Sequence, residues 1–362
     1  MESGGDGNTD GAKSPVHPPN VVLVTGACRF LGGYLTARLV SDESIERVIA
    51  VDAVAPSKDM LRRMGRAEFV RADIRNPFIA KVIRNGKVDT VVHAAAASYA
   101  PRSGGHATLK ELNVMGAMQL FAACQKAPSV RRVVLKSTSE VYGSSPHDPV
   151  LFTEGSNSVR PPRDGFGRDS IDIEGYARGL SRRRPDIAVT LLRLANMIGP
   201  AMDTALSRYL AGPVVPTVVG RDARLQLLHE QDALGALEHA TVAGKPGTFN
   251  VGASGIIMMS QAIRRSGRLP MPLPTIGVRA MDSLLRAAGG AELNRDQLAY
   301  ISYGRVMDIT RMRTELGYEP KWTTLEAFDD YVRGRGLTPI VDARWVRSVE
   351  SRAVAAAQRW GA

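Results

Sequence analysis

Short β-branched runs alternate with stretches of helical apolar spacing through the first 200 residues. Val21-Val22-Leu23-Val24 is followed at once by Thr25-Gly26, and over 31–40 the apolar positions recur with helical period, so the ordered chain opens as strand, turn, helix. Further apolar runs at 47–51 ending in Asp52, at 67–70 before Asp73, and at 88–93, 130–135 and 187–194 predict five more strands. Helical stretches separate most of them, the clearest at 109–126 and 170–184. Strands alternating with helices of that length mean βαβ units, hence an α/β fold with a Rossmann-like, doubly wound parallel sheet.

Beyond Gly199-Pro200 the regularity weakens, with Pro213, Pro216, Pro270, Pro272 and Pro274 interrupting short mixed elements. Four regions are expected: a disordered tail over 1–19, the Rossmann domain over 20–200, a smaller mixed substrate-binding lobe over 201–336, and a C-terminal amphipathic tail over 337–362. The first 20 residues are rich in Gly, Asp, Ser and Pro and have neither a basic nor an apolar signal segment. In the last region Trp345, Val346, Val349, Ala353, Ala356 and Trp360 fall roughly on one helix side. Docking onto the protein itself or a second subunit is the plain expectation for that stretch, and a membrane surface the alternative.

Hydrophobic residues at 44% and charged residues at 23% exclude a chain disordered throughout, and no run approaches the ~18 apolar residues of a transmembrane helix. Two cysteines, Cys28 and Cys124, allow no zinc cluster or disulfide scaffold and fit a reducing cytoplasm. The surplus of 47 basic over 36 acidic residues, net +11, favours anionic partners without choosing among them. Arg182-Arg183-Arg184 ends a predicted helix, where cations favour the dipole, and no aromatic interleaving accompanies it, so nucleic acid is not expected.

Chemistry begins at Thr25-Gly26-Ala27-Cys28-Arg29-Phe30-Leu31-Gly32-Gly33, a strand feeding a helix, with Asp52 about 20 residues on. A helix N-terminus offers free N–H groups and a positive dipole end to a pyrophosphate, and Asp52 would accept from ribose hydroxyls and repel a 2′-phosphate. NAD rather than NADP is the implied cofactor. The middle glycine of a Gly-x-x-Gly-x-x-Gly pattern is Arg29 here, so its side chain either contacts phosphate or takes its space. No metal site is indicated.

With these residues the chain resembles the extended short-chain dehydrogenase/reductases, the NAD-dependent epimerase/dehydratase family typified by UDP-glucose 4-epimerase, over about 21–336. The resembling blocks are Asp73-Ile74-Arg75, Val92-His93-Ala94-Ala95-Ala96, Asn113-Val114-Met115-Gly116, Ser137-Thr138-Ser139-Glu140-Val141-Tyr142-Gly143, Leu192-Arg193-Leu194-Ala195-Asn196 and His229-Glu230-Gln231-Asp232. Their wording looks closest to actinobacterial proteins carrying the 4-epimerase label. The resemblance implies a cofactor site of Gly26, Arg29, Phe30, Leu31, Gly32, Asp52, Asp73, Ile74, Ala94, Ala95 and Asn113. It implies a nucleotide-sugar substrate touching Thr138, Asn196 and Arg224. The family's Arg four places before His229 would fall on Leu225, one residue from Arg224, and in a strand that slip turns the side chain to the opposite face. A homodimer through the helices around 109–126 and 170–184 is also implied.

In the resembled enzymes a Tyr takes a hydroxyl proton, a Lys four residues later lowers its pKa, and a Ser or Thr holds the reacting oxygen. Thr138 matches the last role. The Tyr and Lys positions carry Phe166 and Ser170, and no Tyr in the chain is followed four places later by Lys. Phe has no ionisable group, so the usual proton transfer is absent. Asp169, one helical turn from Phe166, is the replacement acid/base named from spacing, with a solvated helix carboxylate as the other reading. His93 is read as structural and Tyr142 as packing. Two functions stay open: an enzyme on a nucleotide-sugar with atypical proton transfer, or a degenerate dinucleotide- or sugar-nucleotide-binding sensor or scaffold.

Overall fold

The computed structural model describes residues 18–96, 109–274 and 295–340. The expected tail up to residue 17 and the amphipathic stretch 342–360 lie outside the described residues.

The first half runs β1 (Val21–Thr25), α1 (Phe30–Val40), β2 (Arg47–Asp52), α2 (Lys58–Arg63), β3 (Glu68–Arg71), α3 (Phe78–Asn85), β4 (Thr90–His93), α4 (Gly116–Lys126), β5 (Arg132–Thr138), α5 (Gly165–Arg183) and β6 (Ala188–Leu194). The remainder runs β7 (Asn196–Ile198), α6 (Ala205–Ala211), β8 (Val214–Val218), β9 (Arg224–Leu225), β10 (Leu227–His229), α7 (Glu230–Val242), β11 (Gly247–Val251), β12 (Ile257–Met258), α8 (Met259–Arg265), β13 (Leu269–Leu273), α9 (Arg295–Tyr303), β14 (Gly304–Arg305) and α10 (Thr324–Gly334).

One sheet of seven strands, in the order β11-β6-β5-β4-β1-β2-β3, carries the fold, and every neighbouring pair is parallel. Alternate side chains of each strand leave by opposite faces. Val22, Val24, Val92 and Val134 pack with Leu31, Leu35 and Leu39 of α1 and with Leu234 and Leu237 of α7. On the other face Leu23, Val91, Val133 and Leu135 meet Ile79 and Ile83 of α3, Leu120 and Phe121 of α4, and Ile173 and Leu180 of α5. The result is three layers, helices on both faces of the expected parallel sheet. A third cluster, including Leu210, Val215, Leu227, Ile263, Phe328 and Tyr331, forms the smaller lobe.

Two details depart from the sequence expectation. The sheet does not end near residue 200: β11, from within the stretch expected to be all small lobe, adds the seventh strand beside β6, and α7 covers it. Its Phe249 and Val251 are fully enclosed by that packing, a long-range contact that local periodicity does not carry. The helix expected over 109–126 instead starts with a π-helical turn, Glu111–Met115, ahead of α4. Gly116 sits at the junction because a Cβ there would lie 2.7 Å from Ile74 Cδ1.

The helix α5 is tied to the sheet by a buried ion pair. Glu174 Oε2 accepts from Arg193 Nη2 at 2.7 Å, Oε1 accepts from Arg193 Nε at 3.0 Å, and Ser137 Oγ donates to Oε1 at 2.6 Å. The same guanidinium donates to the Tyr142 hydroxyl at 2.8 Å, so β5, β6, α5 and the turn after β5 share one polar knot. Burial pushes the Glu174 carboxyl pKa upward, and the hydrogen bonds and charge of Arg193 outweigh it, so the net shift is downward. Glu174→Gln should cost roughly 3 kcal/mol in urea denaturation at pH 7, because it strands a buried guanidinium. A depressed carboxyl stabilises the folded state above its unfolded pKa, about 4.3, and that contribution is lost as pH falls through the lower folded value. The gap between wild type and Glu174→Gln should therefore narrow below about pH 4.

Candidate functional site

The chain leaves β1 toward β2 and β3, then crosses to β4 on the opposite side of β1, which opens a crevice past the carboxyl ends of β1 and β4. Gly26 follows β1 with φ +74, and a Cβ on it would lie 2.6 Å from Ala95 Cα, so the two loops touch there. A Cβ on Gly32 would sit 2.2 Å from the Gly26 carbonyl oxygen, which is why helix α1 can start so close to the strand. Arg29, by contrast, is the residue before α1 with φ −95 and ψ 160, an extended backbone open to any side chain. No side chain caps α1, so the first-turn N–H groups of Phe30 and Leu31 are left to water or a ligand.

Cys28, Arg29, Phe30 and Leu31 form one wall of a cavity of about 400 Å³. Ala94 and Ala96 border it after β4, Lys136, Thr138 and Glu140 come from β5 and its turn, and Phe166 from α5. Asn196, Met202, Tyr209, Asp296, Tyr300 and Arg305 close it from the small lobe. Its size suits an organic ligand rather than a water cluster.

Of the residues singled out from sequence, Gly26, Arg29, Phe30, Leu31, Gly32, Ala94 and Ala95 gather around the crevice, and Thr138, Phe166 and Asn196 meet across the cavity. Asp52 ends β2 beside the glycine turn. Its Oδ2 accepts from Cys28 N at 2.9 Å and its Oδ1 from Val54 N at 3.2 Å, which leaves each oxygen capacity for a further donor. Asp73 is clasped by Arg75, with Nη2 to Oδ2 at 2.6 Å, and that hydrogen-bonded pair holds its carboxyl below the usual range. Neither Asp73, Ile74 nor Asn113 lines the cavity.

Asp169 is buried, its carboxylate accepting from Asn113 Nδ2 at 3.2 Å, and it does not line the cavity; it is not the solvated carboxylate that helical spacing allows. Ser170, at the place expected for the Lys, is turned back on its own helix, donating to the Phe166 carbonyl at 2.8 Å. Arg224 lies in a small sheet with β12 and β14, again outside the lining, while Leu225 beside it is buried, as opposite faces of a strand require. His93 is enclosed, its Nδ1 2.8 Å from Thr25 Oγ1, and burial with the charge of Lys136 pushes its pKa down to about 3. It is a neutral, structural imidazole. Tyr142 is enclosed as well, with its hydroxyl donating to Asn250 Oδ1 at 2.7 Å.

Sequence reasoning missed the charged part of the site. Lys136 stands two residues before Thr138 on β5, so both leave the strand on one face; that period-two signal was available. The Lys136 ammonium donates to the Ala96 carbonyl at 2.6 Å and lies 5.5 Å from the centre of the Phe166 ring. Burial, and secondly the charge of Arg29, push its pKa down to about 8. Glu140, half-buried in the same wall, is shifted upward by burial, with Arg305 opposing. Arg305 arrives from 160 residues away with no local signal: it donates to the Gly143 carbonyl at 2.7 Å and to Ser139 Oγ at 3.1 Å, pinning the turn after β5 against the small lobe. The Tyr300 hydroxyl is buried, with the Asn196 side chain as its polar neighbour.

A glycine turn at a sheet crossover, an uncapped helix start and an acid ending the second strand are the features of a Rossmann-like α/β fold, here with a smaller lobe bordering the crevice. The comparisons refine that class. The profile of the NAD dependent epimerase/dehydratase family matches residues 22–252, and the chain belongs to that family. An uncharacterized protein of Mycobacterium tuberculosis is 80% identical over 347 residues, 95% of this chain and 92% of the relative. Among solved structures, UDP-glucose 4-epimerase of Thermotoga maritima with UDP-glucose superposes with a TM-score of 0.65 at 20% identity, covering 87% of this chain and 98% of the other. The dTDP-glucose 4,6-dehydratase of Streptomyces venezuelae with NAD bound gives 0.63 at 25%, covering 87% and 96%.

Gly32→Ala should push α1 off the turn, lowering stability by about 1–3 kcal/mol, since the new methyl meets backbone rather than a movable side chain. Thermal denaturation measures it, and Gly155→Ala, where a Cβ meets nothing within 4 Å, should cost far less.

Proposed function

We propose that this protein binds NAD at the β1–α1 turn and a nucleotide-sugar across the cavity, and that any chemistry proceeds without the family's Tyr–Lys pair. The observation that carries this is the single cavity running from the uncapped start of α1 to Thr138 and Asn196. The residues fit a dinucleotide. Gly26 and Gly32 keep the turn free of Cβ atoms, Phe30 and Leu31 offer N–H groups to a pyrophosphate, and Asp52 keeps acceptor capacity for ribose hydroxyls. Arg29 adds a cation where anionic oxygens would sit, and its extended backbone needs no glycine.

NAD held there supplies an oxidising nicotinamide for alcohol-to-ketone chemistry. The protein's own groups do the rest. The Thr138 Oγ1 lone pair is taken by the Glu140 N–H at 3.2 Å, so its hydroxyl proton is available to a substrate oxygen. Asn196 and Tyr300 offer further donors from the small lobe, and Phe166 keeps water from that wall. Two unpaired cysteines fit action in the cytoplasm. Among the described residues no helix is long and apolar enough to cross a membrane. Exposed Met115 and Met118, at the start of α4, suit a homodimer formed through that helix and α5.

Phe166 and Ser170 favour the second function, a catalytically degenerate sensor or scaffold that binds the same ligands. Isothermal titration with NAD and NADP, after any copurified dinucleotide is removed, tests what both share: NAD is expected to bind and NADP to bind more weakly, and binding of neither overturns it. Phe166→Tyr/Ser170→Lys separates the two functions. Epimerase activity on UDP-glucose that appears only in the double variant favours degeneracy, whereas activity already present in wild type favours an enzyme.

A further inference from the structure

Removing the Tyr–Lys pair from α5 leaves that helix without a proton carrier, and among the described residues the one amine in the cavity wall comes from the sheet instead. Lys136 and Thr138 leave β5 on the same face, two residues apart, so an amine and a hydroxyl stand side by side in the lining. The ammonium can donate three hydrogen bonds and makes one, to the Ala96 carbonyl, and no carboxylate forms a salt bridge with it among the described residues. The Phe166 ring beneath it gives cation–π contact but no hydrogen bond and no proton.

We infer that Lys136 is the acid–base group of this site, exchanging a proton with the sugar hydroxyl that Thr138 holds. This rests on the nucleotide-sugar site proposed above. In the forward direction the substrate O–H bond breaks, an N–H bond forms on the Lys136 amine, and the O–H electron pair stays on the oxygen, to which Thr138 donates. The reverse step returns the proton from the ammonium. A lysine does this near neutral pH only where its charge is disfavoured, and the surroundings do that. Burial comes first, then Arg29 from the turn after β1, while Glu140 from the turn after β5 works in the opposite direction. The other groups around it are the neutral His93 on β4, Arg305 on β14 and Asp296 on α9, while Asp169 and Glu174 on α5 are engaged by Asn113 and Arg193.

Trace acetylation with acetic anhydride across pH 6–11, read by peptide mass spectrometry, measures each lysine separately on the full-length protein. Lys136 should reach half its maximal reactivity near pH 8. The exposed Lys58 and Lys81 serve as internal controls. Arg29→Met should move the Lys136 midpoint up and Glu140→Gln should move it down. Saturating UDP-glucose should protect Lys136 at least about tenfold, and UDP alone should not, since the sugar rather than the nucleotide lies against it. A Lys136 curve that follows Lys58, or equal protection by UDP and UDP-glucose, overturns the assignment. Calorimetry separates the two failures: no binding of UDP-glucose brings down the site itself, whereas binding without protection brings down only Lys136.

Discussion

The buried pair between Glu174 and Arg193 is the contact on which the geometry of the cavity depends. Glu174 lies two turns along α5 from Phe166, and its carboxylate is held by β6 through Arg193 and by β5 through Ser137. Ser137 is the neighbour of both Lys136 and Thr138, so the rotation of α5 and the reach of β5 are set by one carboxylate. Apolar packing alone would permit α5 to slide or turn by small amounts at little cost. Two charges with their hydrogen bonds in a dry interior permit far less, because any displacement leaves one of them unpaired.

Around that anchor the polar groups separate by role. Arg193, Tyr142 and Asn250 satisfy one another behind the site, and His93 is neutral and enclosed beneath it. Arg305 spends its donors on the turn after β5 and joins the two lobes. Among the groups that still face the cavity are Arg29, Lys136, Thr138, Glu140, Asn196 and Asp296. Positive and negative groups share a confined volume there, which is the setting in which pKa values move. With Phe166 on α5 in its lining, the cavity is therefore still not an apolar hollow.

Much of this was legible in the residues. The β-branched runs fixed six of the strands to within a few positions, and Gly26, Gly32 and Asp52 marked the crevice because a close strand-to-helix turn demands small residues and a ribose demands an acid. Phe166 and Ser170 were visible as departures because their places are set by spacing from Glu174. The choice of Asp169 went with helical spacing alone, which cannot tell whether a side chain one turn on faces a cavity or the neighbouring helix.

By itself, then, the sequence determined the parallel sheet and the glycine turn after β1, since each follows from local period or fixed spacing, and the family resemblance marked Phe166 and Ser170 by their distance from Glu174. Only the tertiary structure decided that β11 completes the sheet, that Arg305 and Tyr300 reach the site, and that Lys136 is enclosed beside Thr138. Those facts depend on which distant segments exclude water from one another, and burial, which shifts a lysine's pKa, is a property of the packed chain rather than of any short stretch of it.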